Sequence, residues 1–285
     1  MSRIAIITDT DSSLPADLAA AYGIRQVPIS VQFGDETLDA AFEIDDATLF
    51  ARIDKENKLP ATAAPSPGRF EQAYREAIAE GAEAIVCFCV SSEVSGTYNA
   101  ALLAREMVSE CPITVVDSRR LSMGQGYMAL AAAEAAQRGA SVEEVIAYAE
   151  DVGSRSHLFA ALATLKYLAM SGRVGHLAAG MASLLNIKPI LTMRDGKLEL
   201  LERARTTRRA WARVIELTRE VVGAKCPERM AVLHVAARDD ALAFAQQLRQ
   251  AMPCPDDITI CELTPGLSVH SGAGMVGVTV ITAPQ

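Results

Sequence analysis

The chain has 285 residues, half of them apolar and 22% charged, enough to bury a substantial core in one large domain or two small ones. A net charge of −8 argues against nucleic acid or an anionic membrane surface as a partner. The six cysteines form no C-x-x-C pair, no secretory pattern opens the chain, and no apolar stretch reaches the roughly 20 residues that span a bilayer. The expectation is a cytoplasmic protein with reduced cysteines and no stable membrane insertion.

The first half alternates strand-like and helix-like segments. Residues 3–8 form a short apolar strand that ends in Asp9-Thr10-Asp11-Ser12. A strand running into Asp-x-Asp is how some magnesium-dependent phosphatases place a nucleophile and a general acid. The plainer alternative is turn chemistry, with Asp and Ser bonding the backbone ahead of the next helix. That helix is expected over residues 14–22, with Pro15 in its first turn, and a strand over 25–33. Prolines at 60, 65 and 67 predict a stiff extended loop that presents Thr62, or simply a connector. Ser66 and Pro67 open a helix to about residue 80.

Residues 84–90 then run as an apolar strand into Ser91-Ser92-Glu93-Val94-Ser95-Gly96-Thr97, after which the pattern turns helical. Hydroxyls and free backbone N–H groups at a helix start suit a carboxylate or phosphate. They also suit an ordinary N-cap. A strand over 113–117 and an Ala-rich helix over 123–137 continue the alternation. This βαβα order implies a parallel sheet covered by helices.

Near residue 155 the texture changes. Residues 187–193 and 197–201 flank Asp195-Gly196, a hairpin turn signal. Strands over 230–235 and 258–263 flank a helix over 239–252, and a last strand covers 276–281. The expected fold class is therefore α/β, with an N-terminal parallel-sheet α/β domain over 1–155 and a C-terminal α+β domain with a mixed sheet over 156–285.

Three further features bear on chemistry. In Thr264–Gly274, His270 sits between two glycine-containing turns, where it can bond an anion or serve as an ordinary structural His. Residues 272–277 match G-x-G-x-x-G, but only eight residues follow Gly277, so no βαβ dinucleotide unit fits. Arg203, Arg205, Arg208, Arg209 and Arg213 crowd one segment, and Arg173 adds another base. Arginine suits phosphate and carboxylate, and it also makes a solvated helix face. The four histidines lack metal-ligand spacing, and no G-x-S-x-G, H-E-x-x-H or Walker loop is present. The residues offer anion binding without an evident catalytic engine.

These motifs, taken in order, resemble the DegV family, bacterial fatty-acid-binding proteins that carry acyl chains for fatty acid kinase. The resemblance rests on Ile6-Ile7-Thr8-Asp9 with Leu14-Pro15, on Thr62 with Pro65-Ser66-Pro67-Gly68, and most specifically on Ser91-Ser92-x-x-Ser95-Gly96-Thr97-Tyr98. Asp117-Ser118, Gly172-Arg173, Leu185–Leu191 with Asp195-Gly196, Arg205, and His270-Ser271-Gly272-Ala273-Gly274 follow in family order. Ala63 and Ala64 replace the usual polar residues after Thr62, and Ser271 and Ala273 replace the usual Thr and Pro.

The resemblance implies a two-domain DegV-like fold with an acyl chain inside. The carboxylate would meet Thr62, Ser95 and His270, supported by Ser92, Gly96, Gly272 and Gly274. Arg173 and Arg205 would face the phosphate or the kinase. The protein would be no enzyme and hold no cofactor or metal. It would present a long-chain fatty acid to a separate fatty acid kinase, and the acyl phosphate would feed phospholipid synthesis. The rival is a magnesium-dependent phosphatase or other hydrolase using Asp9 and Asp11. A third reading is a partner protein acting through the arginine patch.

Overall fold

The computed structural model describes residues 3–172 and 187–284. The first part of the chain runs β1 (Ile4–Asp9), a 3₁₀ turn at Thr10–Ser12, α1 (Ala16–Tyr22), β2 (Arg25–Val27), β3 (Ser30–Phe33) and β4 (Glu36–Asp39). It continues through α2 (Asp46–Glu56), β5 (Ala61–Ala63), α3 (Pro67–Ala79), β6 (Ala84–Cys89), α4 (Thr97–Arg105) and β7 (Ile113–Asp117). Two helices, α5 (Met123–Gln137) and α6 (Val142–Ser154), close this part. The second part holds β8 (Ser156–Ala161), α7 (Lys166–Ser171), β9 (Lys188–Arg194), β10 (Lys197–Ala204) and α8 (Thr207–Val222). It ends with β11 (Arg229–His234), α9 (Arg238–Ala251), β12 (Thr259–Glu262), α10 (Pro265–Ser271) and β13 (Val276–Ile281).

The expected parallel sheet forms in the order β2-β1-β6-β7, all parallel. The expected mixed sheet forms in the order β10-β9-β8-β13-β11-β12, where only β11 and β12 run parallel, joined through α9. The strand β6 is buried along its whole length, as a strand covered on both faces must be. The hairpin turn between β9 and β10 has positive φ at both Asp195 (49°) and Gly196 (80°), the geometry that matches strand twist. One apolar core joins the two sheets: Val86 and Leu130 from the first part pack in the same cluster as Leu158 and Leu233 from the second.

The structure departs from the sequence reading in three places. The single strand expected over 25–33 is two strands in two sheets. Pro28 has no N–H to give a ladder, and the following Ile29 N–H bonds the Thr10 hydroxyl at 2.9 Å instead. β3 thus leaves the parallel sheet and joins a third, antiparallel sheet, β4-β3-β5. The proline-rich loop carries β5, so Thr62 is fixed by pairing with Val31 rather than by proline stiffness alone. The segment around His270, expected as turns, is the helix α10 with Pro265 in its first turn. Ser66 sits at the N-cap of α3 as expected, but its side chain makes no capping bond.

Candidate functional site

Where the two sheets and the small third sheet meet lies a cavity of about 1050 Å³, counting the space open to solvent at its mouth. Its wall is largely aliphatic, with Leu158, Leu162, Leu191, Leu198 and Leu233 from the mixed sheet and its connections. Polar groups are few. Thr62, Ser95 and His270 all line it, brought from β5, from the turn after β6 and from α10.

Thr62 and His270 touch directly. The Thr62 hydroxyl lies 2.9 Å from His270 Nε2, across 208 residues of sequence. A hydroxyl has one proton and two acceptor sites. With a proton on Nε2 and one on the Thr62 hydroxyl, the two groups can turn from each other and both donate to an acceptor placed between them in the cavity. Ser95 is held by a local turn: its Oγ lies 2.8 Å from Thr97 Oγ1 and accepts from the Thr97 N–H at 3.3 Å. When the Thr97 hydroxyl is the donor in that contact, the Ser95 proton is left for an outside acceptor. Gly96, at the start of α4, also lines the cavity. These groups present donors to an anion with little fixed charge of their own.

The helix α10 is placed by contacts on three sides. The Thr264 hydroxyl donates to the Thr10 carbonyl at 2.9 Å. The Ser268 hydroxyl donates to Asp46 Oδ2 at 2.7 Å. Gly266 lets the helix press against the Asp11 carboxylate, where a Cβ has no room. Asp46 is only 2% exposed, and burial pushes its carboxyl up to about 7. Sequence reasoning missed it, because a second acidic residue at a helix start reads as a routine end charge.

The other expected site residues fall elsewhere. Ser92 turns outward and bonds Asp117, through Oγ at 2.5 Å and its N–H at 3.1 Å. Gly272 and Gly274 have positive φ, but their N–H groups bond the carbonyls of Ser268 and Val235 rather than facing a ligand. The missing Cβ of Gly272 accommodates the Tyr167 ring. The G-x-G-x-x-G run leads into β13, not a helix, which accords with rejecting a dinucleotide site. Arg205 is exposed and does not line the cavity. Arg213 is bound up with Glu202, Glu216 and Glu220. Arg173 lies outside the described residues.

Asp9 and Asp11, the residues of the rival enzyme reading, do different things. Asp9 is fully buried and lines no cavity with the others. Its Oδ1 accepts from the Asp11 N–H at 2.9 Å, and its Oδ2 from the Val90 N–H at 2.8 Å and Gln125 Nε2 at 3.0 Å. Burial pushes its carboxyl up to about 6, against the lowering effect of those bonds. This is the turn chemistry given as the alternative, and both oxygens needed for attack or metal binding are occupied. Asp11 does line the cavity, a placement that nothing in its local sequence signalled. Among the described residues, no group of acidic, His and Cys side chains is arranged to hold a metal ion, and no helix is long and apolar enough to cross a membrane.

The model of the DegV family, described as "Uncharacterised protein, DegV family", matches residues 3–283. A DegV domain-containing protein of Streptomyces coelicolor is 37% identical over 281 residues, 98% of this chain and 99% of that protein. Among solved structures, one described as fatty acid binding of a DegV family protein from Thermus thermophilus superposes with a TM-score of 0.91 at 32% identity. It covers 99% of this chain and 100% of its own. DegV of Bacillus subtilis, described as a fatty acid binding protein, superposes with a TM-score of 0.88 at 27% identity, over 99% of this chain and 100% of its own.

Proposed function

We propose, from the premise that the chain belongs to the DegV family, that this protein binds a long-chain fatty acid and presents its carboxylate to a separate fatty acid kinase. The acyl chain occupies the leucine-lined cavity, and the carboxylate accepts from Thr62, Ser95 and His270. The observation that carries the reading is the Thr62–His270 contact at 2.9 Å on the wall of a largely aliphatic cavity. The fatty-acid-binding descriptions of the Thermus thermophilus and Bacillus subtilis proteins support it.

The energetics agree. Each buried methylene contributes about 0.8 kcal/mol, so the tail supplies most of the affinity. A buried carboxylate left unpaired loses several kcal/mol, which is the need the three donors meet. Phosphoryl transfer belongs to the kinase; the exposed Arg205, with Arg173, serves that encounter, and the acyl phosphate goes on to phospholipid synthesis. On the same reading the two functional units divide at residues 1–155 and 156–285, and the protein works in the cytoplasm.

Organic extraction of the purified protein, followed by mass spectrometry, tests the reading. A stoichiometric long-chain fatty acid is the expected result. An empty extract, with no rise in melting temperature on adding oleate or palmitate, overturns it. Magnesium-dependent phosphatase activity abolished by Asp9→Asn would favour the hydrolase instead.

A further inference from the structure

The turn that carries Ser95 holds more polar groups than the anion site uses. Ser91 is fully buried yet does not line the cavity. Its carbonyl accepts from the N–H groups of Val94 and Ser95, and its own N–H bonds the Arg120 carbonyl, so it forms the root of the turn. Its hydroxyl reaches across to the mixed sheet and donates to the Gly196 carbonyl at 2.6 Å, at the tip of the β9–β10 hairpin.

Two neighbours grip the same tip. The Arg119 guanidinium donates to the Asp195 carbonyl, and Lys197 pairs with Glu93 at 3.6 Å. Gly196 has φ +80°, and a Cβ there would lie 2.9 Å from Ser91 Oγ and 3.2 Å from Glu93 Cγ. Only glycine seats the tip this closely without strain. Below the tip, Leu191 and Leu198 of the hairpin line the cavity; beside Ser91, Val94, Ser95 and Gly96 line it too. The grip therefore ties two walls of one cavity together.

We propose that the Ser91 hydroxyl is a latch, holding the hairpin tip on the Ser95 turn and setting how fast an acyl ligand enters and leaves. This rests on the fatty-acid reading of the cavity. Ser91 touches no ligand in this role; it is a positioning residue acting through the turn. A latch sits on the path both ways, so weakening it speeds entry and exit together and leaves the equilibrium nearly unchanged. Loss of a head-group contact differs, because it speeds exit alone.

Stopped-flow fluorescence with cis-parinaric acid, a fluorescent C18 fatty acid, separates the two. Losing one such hydrogen bond predicts that Ser91→Ala raises both the association and dissociation rates about fivefold, with Kd moving less than about twofold. Arg119→Ala, at an exposed residue gripping the same tip, moves both rates the same way by less, and it carries the test if Ser91→Ala does not fold. Hydrogen exchange without ligand should show amides 94–96 and 197–198 losing protection together in Ser91→Ala. Wild-type uptake with unchanged rates in the variants overturns the latch alone, and so does faster exit with unchanged entry. A wild-type protein that takes up no probe overturns the fatty-acid reading and the latch with it.

Discussion

The Asp9 cluster and the Thr62–His270 pair are both polar groups set among apolar ones, but their hydrogen bonds end in different places. Around Asp9 the partners are the fold itself: the backbone of Asp11 and Val90, and the Gln125 amide, which also bonds Thr8 and the Phe88 carbonyl. These bonds pin the ends of β1 and β6 to α5. Thr62 instead meets His270, Ser95 meets its own turn, and all three line a cavity whose wall is largely aliphatic. The contrast teaches how to read a polar residue at a strand end. Where its capacity is consumed by neighbouring backbone it holds structure, and where capacity is left facing a cavity it awaits a ligand.

The comparison breaks first at Asp9. Asp9→Ala strands the Asp11 and Val90 N–H groups in the core and removes one of the Gln125 amide's acceptors, and should lower unfolding free energy by about 3 kcal/mol, read from denaturant midpoints. A stable Asp9→Ala protein would show that the cluster is not what joins the sheet to α5. At the other site, His270→Ala should weaken fatty-acid binding by roughly 10- to 100-fold, the worth of a hydrogen bond to a charged group. Its unliganded unfolding midpoint should move far less than that of Asp9→Ala. Equal destabilisation in both variants would erase the distinction.

A pH titration sharpens the same contrast. Asp46 and Asp9 are buried, with carboxyls raised to about 7 and about 6 from an ordinary value of 3.8. In that window the folded chain holds protons that the unfolded chain has released. The contribution of these two groups to stability is therefore fully present below about pH 4 and is lost as pH rises, until about 6 for Asp9 and about 7 for Asp46. Asp46→Asn should flatten the part of this fall nearest pH 7, measured by denaturation between pH 4 and 8; an unchanged slope would mean that Asp46 does not titrate there. The smallest expected effect is Ser95→Ala, about a fivefold loss of fatty-acid affinity by fluorescence titration. No loss would remove Ser95 from the head-group site.

Much of the fold was legible because β1, β6, β7 and β13 are short apolar runs bounded by turn residues, and the Asp195-Gly196 turn announces its hairpin. Thr62, Ser95 and His270 were legible only as parts of motifs; their meeting in space depends on β5 pairing with β3 and on α10. The helix α10 was hidden because its Pro, Gly and Ser residues read as turns. Thr10, Asp46, the Asp11 side and Tyr167 hold it in shape, and all are remote in sequence. The cavity wall was illegible for a different reason. A leucine facing a ligand and a leucine facing a neighbour carry the same signal. Ser91 and Ser92 look alike in sequence, yet one is buried against the hairpin tip and the other faces Asp117.

A crystal structure grown with a C18 fatty acid tests the central claim most directly. The account predicts a carboxylate within about 3.2 Å of Thr62 Oγ1, Ser95 Oγ and His270 Nε2, with the tail running along Leu158, Leu191 and Leu233. A fatty acid bound with its methyl end at those three residues, or bound elsewhere while the cavity holds only water, would contradict it.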